Sequence, residues 1–542
     1  MSFLKYIKKA FVYSEPIESN IFELETQDLN IKYDVRAEKE EITPEISSNI
    51  EKNYNYIKER FDYPNNNDVV IRKFEISDKR SCFIVFYDGM VDTRSVDQDI
   101  IKAMLELPLF NKEQKSEADS IIYRYISHSQ ATVSNDFEKI IDEINFGSCA
   151  VFADGIDKGF IMDVRDWGHR GIDRPETEQS IYGPQEAFSE MLRNNSALVR
   201  KILKTEKLIC EAVKIGKISK TRGVLMYISD LANENLIEEV RGRINGISID
   251  YCIAIEEVAM LIEENNYVIT SKLLSTERPD RVAKALSEGR AALILNGSPH
   301  ALVFPTNAFE LMHAASDDYL RVPYANMTRV IRLVAMSLSV LLPALYLAIT
   351  LFHQEMIPTF LVYSISASRE SVPFPSIVEL LLMDISFEMI REAGIRMPNP
   401  IGSTLGIVGG LILGQAAVSA KIVSPIMIIV IALTGLGSFA TPDYSLSWSY
   451  RMLRIIFIIL AGICGFYGVA IGIFLYSMLL GAQKSFGVPF LSPLVREHKS
   501  GSETAVMVSP IWKQENRPDF LNTKNEEQEP KISMKWRSKK RK

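Results

Sequence analysis

Residues 401–420 contain no charged side chain. Ile401-Gly402-Ser403-Thr404-Leu405-Gly406 runs on through Gly410 and Gly414 to Ala420. About 20 such residues make roughly 30 Å of helix, the thickness of a bilayer's hydrocarbon core. The stretch is too long and too apolar for a loop. Gly402 and Gly406 are spaced to share one helix face, as are Gly410 and Gly414, and on such a face a second backbone can approach closely. A chain with this feature is expected to hold a packed helical membrane domain.

Other apolar blocks surround it. Residues 330–352 carry only Arg332 as a charge and are interrupted by Pro343; 423–440 form a second block; 455–480 form a third, threaded by Gly462, Gly465, Gly468 and Gly472. With 402–420 these make four expected spans. An even number puts both termini on one side. Arg329 and Arg332 at the first block, and the basic close Lys535-Trp536-Arg537-Ser538-Lys539-Lys540-Arg541-Lys542, put that side in the cytoplasm. In this count Arg451 and Arg454 stand at the start of the last span, on the opposite side. Residues 357–393 are expected to be re-entrant or interfacial.

The rest of the chain differs in character. The length of 542 residues admits several domains, and the mean hydropathy of +0.03 averages a charged region up to about 325 with an apolar one that follows. A net charge of -7 argues against a nucleic-acid partner. Cys82, Cys149, Cys210, Cys252 and Cys464 show no metal-ligand spacing and read as reduced cytoplasmic thiols. The opening Met1-Ser2-Phe3-Leu4-Lys5 lacks the apolar core of a signal peptide. Residues 1–60 read as a mobile leader with a helix near 45–60, and 61–165 as a first α/β subdomain. A connector over 166–200 follows, then a second α/β subdomain over 201–322, the membrane domain over 323–490 and a polar, basic tail over 491–542.

The two subdomains are expected to be related. Residues 69–76 and 82–87 alternate as strands, Asp88-Gly89 ends the second, helices follow, and 149–153 with 159–164 make a hairpin. About 140 residues later 221–228 is a strand, Ser229-Asp230 ends it, helices follow at 234–244 and 278–288, and 291–295 with 301–304 make a hairpin around Asn296-Gly297.

No catalytic constellation is readable. His128, His169, His300, His313, His353 and His498 are dispersed, with no HExxH, phosphate-binding loop or GxSxG. The chain therefore reads as a non-enzyme without metal or cofactor, and Asp88 and Asp92 as a structural turn. The informative polar groups are Glu379, Asp384 and Glu388, set in a helix whose Ile377, Leu380, Leu381, Ile385 and Met389 share one side. Ionised carboxylates at membrane depth are costly. Either the helix lies at the interface with its charges in water, or the carboxylates face a cation path in a ring of subunits. Thr359, Ser364, Ser366 and Ser368 just before it either line a narrow passage or pack against other helices.

Several stretches carry a family resemblance: Asp88-Gly89-Met90-Val91-Asp92; Gly183-Pro184-Gln185-Glu186-Ala187-Phe188-Ser189-Glu190 with Asn194-Asn195; Pro373-Phe374-Pro375 through Glu379 to Arg396-Met397-Pro398; and Pro400-Ile401-Gly402 through Gly414-Gln415-Ala416-Ala417 to Val423-Ser424-Pro425. From about residue 68 to 496 the chain resembles the A subunit of GerA-type spore germinant receptors. Gln185 and Ala187 depart from the Arg and Gly expected of that family. The resemblance implies a multi-pass protein of the spore inner membrane, in contact with its lipid. It also implies a transporter-like B subunit that binds germinant and a lipoprotein C subunit as partners. The A subunit is then expected to form a homo-oligomer, a pentamer, around a ligand-gated cation path. A secondary transporter subunit and a non-conducting scaffold for germination proteins are the alternatives.

Overall fold

A computed structural model describes residues 24, 45–76, 80–105, 131–165, 174–396, 410, 412–494 and 507–528. Strands β1 (Val69–Glu75), β2 (Ser81–Tyr87), β3 (Ala131–Ser134), β4 (Cys149–Ala153) and β5 (Gly159–Met162) pair in the order β1-β2-β4-β5-β3. Strands β6 (Leu208–Ile215), β7 (Thr221–Ile228), β8 (Leu274–Thr276), β9 (Ala291–Leu295) and β10 (Ala301–Phe304) pair in the order β6-β7-β9-β10-β8. Position for position the two orders are the same, and every pairing is antiparallel.

Both faces of the first sheet are covered, which is why its strands read as nearly continuous apolar runs. Along β2, Phe83, Val85 and Tyr87 join the core under helices α1 (Ile50–Arg60) and α2 (Phe137–Asn145), while Cys82, Ile84 and Phe86 face Val96, Ile100 and Met104. The helix expected near 45–60 is α1. Ile46, Ile50 and Ile57 bury its inner side, so the first packed unit begins ahead of the expected boundary. Helix α3 (Leu192–Ile202) leads into the second sheet, with α4 (Glu234–Asn245), α5 (Ile255–Ile262) and α6 (Pro279–Ser287) around it. Arg200 on α3 bonds both units together. Its Nη2 lies 2.7 Å from Asp68 Oδ1, 2.9 Å from Asn66 Oδ1 and 2.9 Å from the Leu208 carbonyl, with its guanidinium 4.0 Å from the Tyr87 ring centre.

The apolar region forms helices α7 (Val322–Phe352), α8 (Thr359–Arg369), α9 (Ser376–Arg396), α10 (Pro425–Phe439), α11 (Tyr444–Cys464) and α12 (Phe466–Gly481). By length and composition α7 and α11 are each sufficient to cross a membrane, while α10 and α12 are apolar but shorter. Residues 412–419 are also helical. Gly402 and Gly406 lie outside the described residues, so that glycine pair has no structural counterpart here.

One expectation is corrected. Residues 455–480 are not a single span, because Gly465 adopts φ +59 and ends α11. A Cβ there would crowd Phe352 and His353 at the far end of α7. The chain turns back at that point and α12 returns along α11. Close backbone packing occurs at other glycines: a Cβ on Gly437 would meet the Ala335 carbonyl of α7, and one on Gly468 the Leu460 carbonyl of α11.

The bundle and the second sheet share a core. Leu446 at the start of α11 packs with Leu198, Met226 and Val303, and Phe490 joins the same cluster. After α12 a short hairpin, β11 (Lys484–Ser485) with β12 (Val488–Pro489), puts Phe486 and Val488 against the other face of the sheet. Residues 507–528 also lie on this unit: Lys524 Nζ reaches the Ser229 carbonyl at 2.9 Å, and Leu521 is buried.

Candidate functional site: a buried charge cluster between two apolar helices

Helix α9 is inverted relative to a helix on a water-soluble core. Ser376, Glu379, Leu380, Met383 and Asp384 are its buried residues, at the three- and four-residue spacing of one face. Ile385 and Met389, grouped in the sequence on one side with the buried Leu380, are 58% and 67% exposed. The inversion has a physical reason. In hydrocarbon the outer face is satisfied by aliphatic side chains, and polar groups turn inward to find partners.

The partners come from α11. Arg454 Nη2 is 2.9 Å from Asp384 Oδ1 and 2.8 Å from Glu388 Oε1. Arg451 Nη1 is 3.1 Å from Glu388 Oε2. Arg391, one turn beyond Glu388 on α9, lies 3.9 Å from Glu388 Oε1, hydrogen-bonds Ser438 Oγ of α10, and sets its guanidinium 4.4 Å from the Phe439 ring centre. Arg451 sits 4.0 Å over the Trp448 ring. Arg454 and Asp384 are nearly inaccessible. Three guanidinium groups thus meet two carboxylates, which leaves the cluster with one surplus positive charge.

Asp384 is buried and Glu388 half-buried, and arginines of their own chain compensate both. Arg451 and Arg454 do not open a span but stand inside α11, which begins at Tyr444. The signal was present in the sequence as an equal helical period: Asp384 and Glu388 are four apart, and Arg451 and Arg454 three apart, so each pair shares a face. Arg391, Arg451 and Arg454 were not among the expected site residues.

Glu379 is placed separately, nearer the far end of the bundle. Its Oε1 accepts a 2.5 Å hydrogen bond from the backbone N–H of Ser424, the N-cap of α10. Ser364 and Ser366 lie on α8, none of whose residues is buried, and both are exposed along with Thr359. Ser368 donates to the Ile365 carbonyl within the helix. Gly410 has open space where a Cβ would stand, and Gly414 lies in ordinary contact range of Ile428, 3.7 Å from its Cγ2.

A second charged cluster joins the sheets to the bundle. Asp317, just before α7, accepts from Arg332 Nη1 at 2.8 Å and from Arg329 Nε at 3.1 Å. Burial alone would push its carboxyl up, but the Arg332 hydrogen bond and both arginine charges hold it below the usual carboxylate range. Beside it His313 is held neutral, its pKa pushed down to about 3 by burial and then by the charge of Arg329. Ser449 of α11 donates to the Ile269 carbonyl at 2.8 Å.

The chain thus joins a two-sheet α/β region to an apolar helical bundle that holds a buried ion-pair cluster. The family is shown by comparison. The model of the Bacillus/Clostridium GerA spore germination protein family matches residues 55–520. Spore germination protein KA of Bacillus subtilis (strain 168) is 36% identical over 486 residues, 89% of this chain and 87% of that protein. GerLA of Bacillus cereus is 33% identical over 466 residues, 86% of this chain and 94% of that protein. Spore germination protein A1 of Bacillus subtilis (strain 168) is 34% identical over 461 residues, 85% of this chain and 94% of that protein. The chain belongs to the GerA family. Among solved structures it is similar to the N-terminal domain of the A subunit of the Bacillus megaterium spore germinant receptor GerK3. That likeness has 27% identity and a TM-score of 0.37, and covers 48% of this chain and 97% of that one.

Proposed function

We propose that the chain is the A subunit of a nutrient receptor of the spore inner membrane and that copies of it assemble as a pentamer around a ligand-gated cation path. Its partners are a transporter-like B subunit that binds germinant and a lipoprotein C subunit. Germinant on the partner favours the open ring over the closed one, and the coupling is the difference in its affinity for the two.

The observation that carries the reading is α8. It is an exposed helix bearing Ser364 and Ser366 among apolar side chains, beside a bundle in which Ser376, Glu379 and Asp384 are buried. In a ring of copies such a helix lines the axis, with Glu379 of α9 behind it, while Asp384 and Glu388 are already compensated by arginines of their own chain. The chain order of contacts supports a multi-pass arrangement. Helix α7 starts beside Asp317 at the sheets and ends near Gly465, α9 runs from the Gly462 level towards Ser438, and α12 ends at the hairpin seated on the second sheet. Both the sheets and the tail then lie on the cytoplasmic side. The two sheets are read as copies of one ancestral subdomain.

A non-conducting scaffold is the second reading, favoured by the internal compensation of Asp384 and Glu388. The test is potassium efflux from liposomes holding this chain with its B and C partners. Germinant-triggered efflux that Ser364→Trp or Ser366→Trp blocks without loss of assembly is the expected result. Assembled complexes that pass no ions with any germinant would establish the scaffold.

A further inference from the structure

Residues 507–528 run along the end of the second sheet that faces the bundle. At that end β9 begins and β10 finishes, with Phe304 paired to Ala291, and the Thr306 N–H just beyond donates to Ser485 Oγ of the hairpin after α12. The segment is fixed there at several points. Asn326, in the first turns of α7, holds Val508 by both backbone groups: its Nδ2 donates to the Val508 carbonyl at 3.2 Å, and its Oδ1 accepts the Val508 N–H at 2.6 Å. Arg517 Nε reaches the Ser287 carbonyl at 2.9 Å, and the Lys524 N–H the Leu231 carbonyl at 3.1 Å. The Gln528 N–H then returns to the Glu515 carbonyl at 2.8 Å, close along the chain to Trp512.

Asn326 precedes Val330, where the apolar block of α7 opens, by about one helical turn. That is a rise of about 6 Å, and the headgroup layer on each side of a bilayer is about 5–8 Å deep. With α7 in a membrane, Val508 is therefore held at headgroup level. The residues beside it are apolar and open: Met507, Ile511 and Trp512 are 47%, 64% and 48% exposed, and Lys513 is exposed too. Their backbone is a compact turn, closed by the Lys513 N–H on the Pro510 carbonyl at 2.8 Å and by Gln514 Nε2 on the Ser509 carbonyl at 2.9 Å. An exposed stripe on α7 starts at the same level, through Tyr324, Met327, Ile331, Val334 and Leu338, at the spacing of one helix face.

We propose that residues 507–513 lie in the headgroup layer and, with the basic segment that follows Gln528, form a docking surface for anionic phospholipid. Aromatic rings with a polar edge settle at this depth, and binding there grows with buried apolar area and with attraction to anionic lipid. Charge favours lipid over a second copy of the chain. Residues 529–542 carry seven Lys and Arg side chains and one acid, Glu529. A copy would bring the same positive charge against them, whereas anionic headgroups neutralise it. The inference rests on α7 entering a bilayer and not on a cation path.

The test uses the full-length chain in phosphatidylcholine nanodiscs holding a small share of spin-labelled phosphatidylglycerol or, at equal share, spin-labelled phosphatidylcholine. The label sits on the acyl chain next to the headgroup. Tryptophan quenching is compared between the parent and Trp512→Phe, and the difference belongs to Trp512. The expected result is quenching by both lipids, about twofold stronger with phosphatidylglycerol. The excess should vanish when the seven basic side chains of 529–542 are changed to Gln, and in 1 M salt, where screening acts within about 3 Å. Asn326→Ala, which releases Val508, should lower the quenching by either lipid with the circular dichroism unchanged. Trp512 quenched by aqueous acrylamide but by neither lipid would overturn the proposal. Protection from acrylamide and from both lipids would mean that a second copy covers the surface, and would overturn it equally. Equal quenching by the two lipids would reject recognition of anionic lipid. No ion flux enters the readout, so the cation-path reading stands or falls separately.

Discussion

The first sheet is covered by its own stretch of chain: α1 and α2 lie on one face and residues 96–104 on the other. The second sheet takes side chains from far along the sequence. Leu446 comes from α11, Phe486, Val488 and Phe490 from beyond the last apolar helix, and Leu521 from further still. The connector reaches it as well: Glu277 accepts the N–H groups of Glu176 and Glu178, and Arg278 Nη2 donates to the Pro184 carbonyl at 2.8 Å. One strand order therefore serves two purposes. The first unit is covered by its own helices and attaches through Arg200 and its neighbours, among them Arg193 to Asp88 and Arg60 to Glu206, whereas the second is continuous with the bundle. Any rearrangement of the second sheet is felt at once by α7, α11 and α12.

The joint between the units gives the largest expected effect. Arg200→Met leaves the partly buried Asp68 and the buried Asn66 without their shared partner and should destabilise the full chain by about 3 kcal/mol, since breaking a largely buried pair is costly. Hydrogen exchange would show both sheets losing protection. Loss confined to one sheet would mean that the units are independent.

Phe486→Ala probes the second unit alone. The ring stacks on Phe304 at 5.0 Å, lies under Arg243 at 4.2 Å and is fully buried. Its loss should cost about 3 kcal/mol. Protease should then cleave near the hairpin while β2 and β4 stay protected; equal loss of protection in the first sheet would erase the distinction drawn between the two.

A smaller effect is expected from His313. Its folded pKa of about 3 lies below the ordinary value near 6.5, so the unfolded chain binds the proton first as pH falls. The stability it contributes is present above about 6.5 and is lost as pH drops from there towards 3. The slope is at most about 1.4 kcal/mol per pH unit, and less for a half-buried ring. His313→Phe should flatten the stability profile between pH 6.5 and about 5. An unchanged profile would assign the slope to other groups.

The least effect is expected at Gly410. With open space around its Cβ position, Gly410→Ala should change stability by no more than about 0.5 kcal/mol. Gly437→Ala, facing the Ala335 carbonyl, should be clearly worse. Equal effects, measured as folded yield in membranes, would mean that Gly410 packs closely in the assembled state.

Much of the α/β region was legible because its central strands are short apolar runs bounded by Asp-Gly, Asn-Gly and charged turns. The edge strand β6 was not: Glu211 and Lys214 interrupt it, as an edge exposed to water allows. In the bundle, composition located the apolar blocks but not the turn at Gly465, since glycine there looks the same whether it packs or reverses the chain. The carboxylates of α9 were legible as unusual groups. Their partners were not, because sequence periodicity shows which residues share a face but not which helix that face meets. The arginines of α11 stand more than 60 residues away from them.

The measurement that bears most directly on the ion-pair cluster is a double-mutant cycle on Asp384 and Arg454, read as thermal stability of the full chain in nanodiscs. Arg454→Met brings the cluster's formal charge from plus one to zero, but leaves Asp384 unpaired. Asp384→Asn with Arg454→Met restores the surplus charge and removes the unpaired group. If pairing holds α9 to α11, the single change should cost about 3–5 kcal/mol and the double change clearly less. A double variant no more stable than the sum of its singles, or an Arg454→Met protein as stable as the parent, would contradict the account.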